Sequence, residues 1–160
     1  MADGRREMLV AMATGTGKTR TCVALMYWLL KHKRFRRILF LVDRNALGEQ
    51  AEQALNNTEL ERLLKFSSTF NVARLDKKSP DKEDRVHIAT VQSLVRRILY
   101  PADDDERPTP GLYDCIIVDE AHRGYVLDAE LREEDLSFRT LDEYLSQYRR
   151  ARLFRCVKSV

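Results

Sequence analysis

The sequence predicts an α/β doubly wound fold, a mostly parallel sheet with helices on both faces. Two observations carry that expectation. Short apolar runs are continuous rather than alternating, as strands buried on both faces require. The stretches between them change to helical spacing, so strand and helix alternate along the chain. A Gly-rich turn placed directly between the first run and the first helical stretch marks where function is to be sought.

The strand-like runs are Met8 to Met12, Ile38 to Val42, Val86 to Ala89 and Cys115 to Val118, with a weaker candidate at Phe70 to Leu75. Cys22, Leu25, Met26 and Leu29 follow the first run at i, i+3, i+4 and i+7, which is one face of a helix. Leu47, Ala51, Ala54 and Leu55 repeat the pattern after the second run, and Val91, Leu94, Val95, Ile98 and Leu99 repeat it after the run at 86–89. Thr58 with Glu61 and Thr140 with Glu143 have capping-box spacing and predict short helices near 59–65 and 141–150. Asp76 to Asp84, with Ser79-Pro80 and alternating charges, reads as a surface turn. Pro101 to Gly111 holds three prolines and the acids Asp103 to Glu106, and reads as a loop.

Length and composition bound the function. A chain of 160 residues with 44% apolar content suits one domain with its own core. No apolar run approaches the roughly 18–20 residues of a membrane span, and the first residues lack a cleavable signal pattern, so a cytoplasmic protein with no membrane partner is expected. Cys22, Cys115 and Cys156 are widely separated and pair with no His at metal spacing, which points to packed free thiols rather than a disulfide framework or a zinc site. The net charge of +3 conceals a division: residues 1–100 carry 19 basic and 11 acidic groups, residues 101–150 carry 6 and 14, and residues 151–160 carry 3 and 0. A basic first part suits phosphate-bearing partners, although such charges also coat ordinary solvated surfaces.

The turn after the first run reads Ala13-Thr14-Gly15-Thr16-Gly17-Lys18-Thr19. Gly15 and Gly17 permit a backbone that aims several N–H groups at one anion, and the following helix adds its positive end. Thr14 and Thr16 lie within the cradle, Lys18 reaches the β- and γ-phosphates, and the Thr19 hydroxyl can ligate Mg²⁺, so ATP with Mg²⁺ is the expected ligand pair. Met12 stands where the general phosphate-loop pattern has Gly. The plain alternative is a Gly/Thr-rich turn with an incidental Lys. A second half of the same chemistry follows Cys115-Ile116-Ile117-Val118, where the chain reads Asp119-Glu120-Ala121-His122. An acid at the carboxyl end of a buried strand stands where open α/β folds bind ligands. Asp119 is expected to hold Mg²⁺, Glu120 to orient and deprotonate the attacking water, and His122 to relay nucleotide state to a nucleic-acid surface.

"MATGTGKT" with "IIVDEAH" resembles the first motor domain of superfamily 2 helicases and translocases. The longer combination of "MATGTGKTRT", "LVDRNALGEQA" at 41–51, "ATVQSL" at 89–94 and "IIVDEAHRGY" at 116–125 resembles the restriction (R) subunit of type I restriction-modification enzymes. The resemblance implies a RecA-like P-loop NTPase domain over 1–150 with a DEAH-type ATP site. It implies DNA-backbone contacts at Arg44 and Asn45 and at Thr90, Gln92 and Ser93, which would bind double-stranded DNA without sequence preference. Asn45 and Thr90 are equally suited to cap their own helices. It further implies modification and specificity subunits as partners, a nuclease domain before this segment and a second motor domain after it. A core strand ending in Thr/Ser-Ala-Thr is expected between the two nucleotide-binding strands; the chain instead ends "ARLFRCVKSV". The sequence therefore suggests a domain missing its last core strand, with 151–160 a basic tail departing from the family pattern and an interruption of the reading frame near Arg150. Leu153, Phe154, Cys156 and Val157 offer material for a partial substitute strand. A fragment of another superfamily 2 repair helicase, or a degenerate product that only binds nucleic acid, are the competing readings.

Overall fold

The computed structural model describes residues 7–13, 15–42, 45–57, 65–75, 81, 83–99, 111–119 and 152–158. In chain order the elements are β1 (Glu7–Met12), α1 (Lys18–Lys31), β2 (Ile38–Val42), α2 (Asn45–Asn57), α3 (Phe66–Thr69), β3 (Val72–Arg74), β4 (Val86–Thr90), α4 (Val91–Leu99), β5 (Cys115–Val118) and β6 (Arg152–Lys158). The six strands form one sheet in the order β1-β6-β5-β2-β4-β3, and every adjacent pair is parallel. The expected α/β fold is thus present.

The continuous apolar runs are explained by what covers them. Every residue of β2, β4 and β5 is buried. Ile38, Phe40 and Val42 of β2, Val86 and Ile88 of β4 and Cys115 and Ile117 of β5 share one core with Cys22, Val23, Met26, Leu29 and Leu30 of α1 and with Ala51 and Leu55 of α2. The alternate residues Leu39, Leu41, Ile116 and Val118 point to the other face and are buried as well. Burying a Leu or Met side chain contributes about 2 kcal/mol by removal of apolar surface from water, so α1 is held mainly by its inward stripe rather than by intrinsic propensity. Cys22 and Cys115 are buried free thiols, as packed small hydrophobes should be, and burial pushes the Cys115 thiol far above its usual range.

The structure bears on three expectations. First, the slot between β1 and β5 is filled rather than empty: Arg152–Lys158, where Leu153, Phe154, Cys156 and Val157 offered a substitute strand, forms β6 and not a basic tail, pairing with β1 from Glu7↔Leu153 to Met12↔Lys158 and with β5 from Cys115↔Arg152 to Val118↔Arg155. The slot between β1 and β5 presents two open strand edges whose N–H and C=O groups need partners, and ladder bonds are made by backbone. The β-favouring residues of "RLFRCVK" suffice to fill it, without the Thr/Ser-Ala-Thr sequence. Second, the helix expected near 59–65 lies outside the described residues except for Lys65, which is extended (φ −78, ψ 148) as the N-cap of α3. Third, Asp84, at the end of the expected surface turn, is buried. The expected helix at 141–150 and the loop at 101–110 also lie outside the described residues.

Candidate functional site

In a parallel sheet all carboxyl ends lie on one edge, so the loops that follow β1, β5, β2 and β4 are brought together however far apart they are in sequence. The loop after β1 is closed by Thr16, whose N–H and hydroxyl both donate to the carbonyl of Ala13, at 3.4 and 2.7 Å. Gly15 (φ 79) and Gly17 (φ 87) are left-handed, a conformation costing other residues roughly 1–2 kcal/mol. A Cβ at either position would meet nothing within 4 Å, so glycine is required there for its backbone rather than for space. Gly17 is the N-cap of α1, no side chain caps the helix, and its first turn holds no acid. The positive helix end therefore faces the loop. Lys18 and Thr19, half-buried, are the first two helical residues, and the first intrahelical bond runs from Thr21 N–H to Gly17 carbonyl at 2.9 Å.

Asp119 follows β5 directly and is buried. Its N–H donates to the Leu41 carbonyl at 2.9 Å, which extends the β2–β5 ladder one residue beyond the strand and fixes where the carboxylate starts. Between β1 and β5 lies only β6. The two chains that lead into the glycine loop and into Asp119 are thus about 10 Å apart, two strand spacings, a gap that a triphosphate can bridge. The donor set fits Mg²⁺: a hydroxyl and a carboxylate are hard oxygen ligands, and this ion needs only one or two of them when phosphates supply the rest. Thr14, Glu120 and His122 lie outside the described residues.

On the other side of β5 the edge continues with β2 and β4, whose last residues Val42 and Thr90 are in register. α2 begins at Asn45 and α4 at Val91, so the two segments expected to touch DNA start from neighbouring strands. Arg44 lies outside the described residues. Thr90 and Ser93 cap α4 reciprocally: the Ser93 N–H donates to the Thr90 hydroxyl at 3.1 Å, and the Thr90 N–H donates to the Ser93 hydroxyl at 3.1 Å. The Ser93 hydroxyl donates onward to the Thr90 carbonyl at 3.0 Å. The capping role of Thr90 is therefore real, and Ser93 spends its one donor on it; Gln92 is half-buried beside them.

Comparison with known proteins bears on this arrangement. The family model described as "Type III restriction enzyme, res subunit" matches residues 1–153. The chain belongs to that family. The restriction-enzyme res-subunit chain is 52% identical over 150 residues to the type I restriction enzyme EcoKI endonuclease subunit of Escherichia coli strain K12, covering 94% of this chain and 12% of that one. It therefore spans about an eighth of that relative. Among solved structures, the Pyrococcus furiosus Hef helicase domain superposes with a TM-score of 0.65 at 22% identity, over 96% of this chain and 30% of that one. The Sulfolobus solfataricus SWI2/SNF2 ATPase core, solved in complex with dsDNA, gives 0.57 at 14% identity, over 95% of this chain and 27% of that one. These likenesses show the fold alone, a RecA-like α/β domain. Among the described residues no helix is long and apolar enough to cross a membrane.

Sequence reasoning missed a buried polar cluster at the opposite edge of the sheet. His87 Nδ1 lies 2.9 Å from the Tyr113 hydroxyl, and its Nε2 lies 3.4 Å from Asp84 Oδ2. Burial lowers the imidazole pKa to about 4, against the opposing pull of Asp84 and with the help of Arg37 and Arg97. The ring is thus neutral at physiological pH, and the contact with Asp84 is not an ion pair there. With the Tyr113 hydroxyl donating to Nδ1, the buried Nε2–H is left facing Asp84 Oδ2 at 3.4 Å without a hydrogen bond. A His inside an apolar strand was the one signal for it.

Proposed function

We propose that this chain binds Mg²⁺-ATP at the loop 14–19 and Asp119 and contacts the backbone of double-stranded DNA through the adjacent starts of α2 and α4. The carrying observation is the strand order: β1, β6, β5, β2 and β4 set a left-handed glycine loop, a buried carboxylate and two helix starts along one edge. Thr14, Gly15, Thr16 and Gly17 supply the cradle, Lys18 steadies the β- and γ-phosphates, and Thr19 and Asp119 would hold Mg²⁺, which supplies charge neutralisation when bound. Glu120, the next residue after Asp119, takes the proton of the attacking water, and His122 relays the state of the site towards the DNA side. Arg44, Asn45, Thr90 and Gln92 donate to phosphate oxygens.

The 52% identity to a type I restriction endonuclease subunit favours a DNA translocase of such a system over a repair helicase, to which likeness is one of fold. Modification and specificity subunits and a cytoplasmic location belong to the same reading. An Arg supplied by a second motor domain is worth about 10³–10⁵ in phosphoryl-transfer rate, so these 160 residues alone should hydrolyse ATP very slowly and should not translocate. The test is a titration of the purified chain with a fluorescent ATP analogue, with and without Mg²⁺. Tighter binding with Mg²⁺, lost in Lys18→Ala, is expected. Equal affinity in wild type and Lys18→Ala would remove the site, and Mg²⁺-independent binding would favour a non-catalytic product.

A further inference from the structure

The segment between α1 and β2 reads Lys31-His32-Lys33-Arg34-Phe35-Arg36-Arg37, five basic residues in seven. α1 leaves the nucleotide edge and runs about 21 Å, so this segment lies at the opposite edge of the sheet and has no part in the site above. Its backbone is held at both ends. The Lys33 N–H donates to the Leu30 carbonyl at 3.0 Å and the Arg34 N–H to the Leu29 carbonyl at 2.9 Å, a Schellman closure with Lys33 in the left-handed position (φ 52). Phe35 packs against the core, and the N–H groups of Arg36 and Arg37 donate to the Asp114 carboxylate at 2.7 and 3.0 Å. The Asp114 carboxylate is thereby engaged by backbone.

What this rigid loop presents is charge beside an aromatic face. Lys33, Arg34 and Arg36 are exposed. Arg37 is turned inward, its Nε donating to the Asp84 carbonyl at 2.9 Å, and the Lys31 ammonium lies 5.6 Å from the Tyr27 ring. Trp28, 49% exposed on the last turn of α1, has His32 against it at a centroid distance of 4.6 Å and an interplanar angle of 32°. The His32 ring is itself anchored, its Nδ1–H donating to the Trp28 carbonyl at 2.9 Å. The indole stands half in water, and Lys33 adopts a backbone conformation in which glycine would be unstrained.

We infer that Trp28 with Lys33, Arg34 and Arg36 forms a second nucleic-acid contact, one that takes a single strand of DNA by stacking an unpaired base on the indole and pairing the adjoining phosphates with the three cations. Base–aromatic stacking and basic residues along the backbone are the two elements of single-strand binding. The four residues from Lys33 to Arg36 reach at most about 13 Å, enough for two or three consecutive phosphates. Strand capture at this edge is separate from the duplex contact proposed at the carboxyl edge and would stand if that contact failed.

Trp28 is the one tryptophan beside six tyrosines, so emission excited at the red edge, where only indole absorbs, reports on this surface. Titration of the full chain with an oligothymidine of about 20 nucleotides should quench that emission, with affinity falling as salt rises by a slope of about −0.7 per phosphate contact. The triple variant Lys33→Gln, Arg34→Gln, Arg36→Gln should weaken binding at least tenfold and flatten the slope by about 2. Lys18→Ala should leave the quench unchanged, which separates this surface from the nucleotide site. Absence of quenching, or quenching untouched by the triple variant, would overturn the inference. Equal quenching by a duplex of the same length would overturn the stacking assignment, and equal quenching by polyglutamate would make the surface a dock for an acidic polypeptide instead.

Discussion

The N–H of Asp119 donates to the carbonyl of Leu41 across 2.9 Å, joining the carboxylate proposed for Mg²⁺ to the strand that leads into the proposed DNA-contact loop. β2 continues for one residue beyond Leu41 before the segment at 43–45 begins. A shift of Asp119 on nucleotide binding or release would therefore act on a strand wholly buried between β5 and β4, which can move only together with its neighbours. Asp119→Asn keeps the size and this backbone bond. It should preserve folding and remove the Mg²⁺ enhancement of nucleotide affinity, whereas an unchanged ratio of affinities with and without Mg²⁺ would take Asp119 out of the metal site.

Lys18 and Glu120 should separate binding from turnover. Lys18→Ala removes the cation at the mouth of the glycine loop and should lower nucleotide affinity by more than tenfold. Glu120→Gln keeps a polar group of the same shape without a basic oxygen, so affinity should be retained while the slow turnover disappears. Parallel nucleotide titration and single-turnover hydrolysis on the two variants check the pair of outcomes.

Thr90 and Ser93 are bound to each other at 3.1 Å in both directions, so stability and the proposed DNA contact have to be separated at these positions. Ser93→Ala keeps the Thr90 hydroxyl as the cap but removes the acceptor of the Thr90 N–H, and should cost about 1 kcal/mol in urea unfolding. Ser93→Gln can restore the return bond to the Thr90 N–H, because Gln at this position completes a capping box. Stability recovered in Ser93→Gln with DNA affinity equal to that of wild type would assign Ser93 to the fold alone.

His87 makes the domain acid-sensitive. Its folded pKa of about 4 lies below the ordinary 6.5, so between these values the unfolded chain binds a proton that the folded chain refuses. Stability from this group is full above about pH 6.5 and falls as pH drops towards 4, by up to ~1.4 kcal/mol per pH unit. Urea midpoints across that window should fall more steeply for wild type than for His87→Gln; parallel curves would mean that the ring is protonated in the fold.

The sheet was legible because its strands announce themselves: Ile38–Val42 and Cys115–Val118 are bounded as their apolar runs are. The glycine loop was legible because its chemistry is local, with Gly15, Gly17, Lys18 and Thr19 adjacent in sequence. β6 was read as a departure because the expectation was tied to a side-chain motif, while the slot selects only for extended backbone. The exposure of Leu9, 64%, was also invisible, since an apolar run does not say whether its strand lies at the centre or the edge of a sheet, and β1 is an end strand here. Asp84, His87 and Tyr113 are joined by contacts spanning up to 26 residues, which no local pattern encodes.

Lys33 offers a test in which stability and binding should move in opposite directions. Its φ of 52 is a conformation that glycine adopts without strain, so Lys33→Gly should raise unfolding stability by up to about 1 kcal/mol. The same change removes one of the three cations beside Trp28, and oligothymidine affinity should fall about threefold with a shallower salt dependence. Lys33→Arg keeps both the charge and the strain and should match wild type in each measurement. A stabilised Lys33→Gly chain that still quenches at the wild-type concentration would leave the left-handed lysine as a local feature of the helix end, with no role in strand binding.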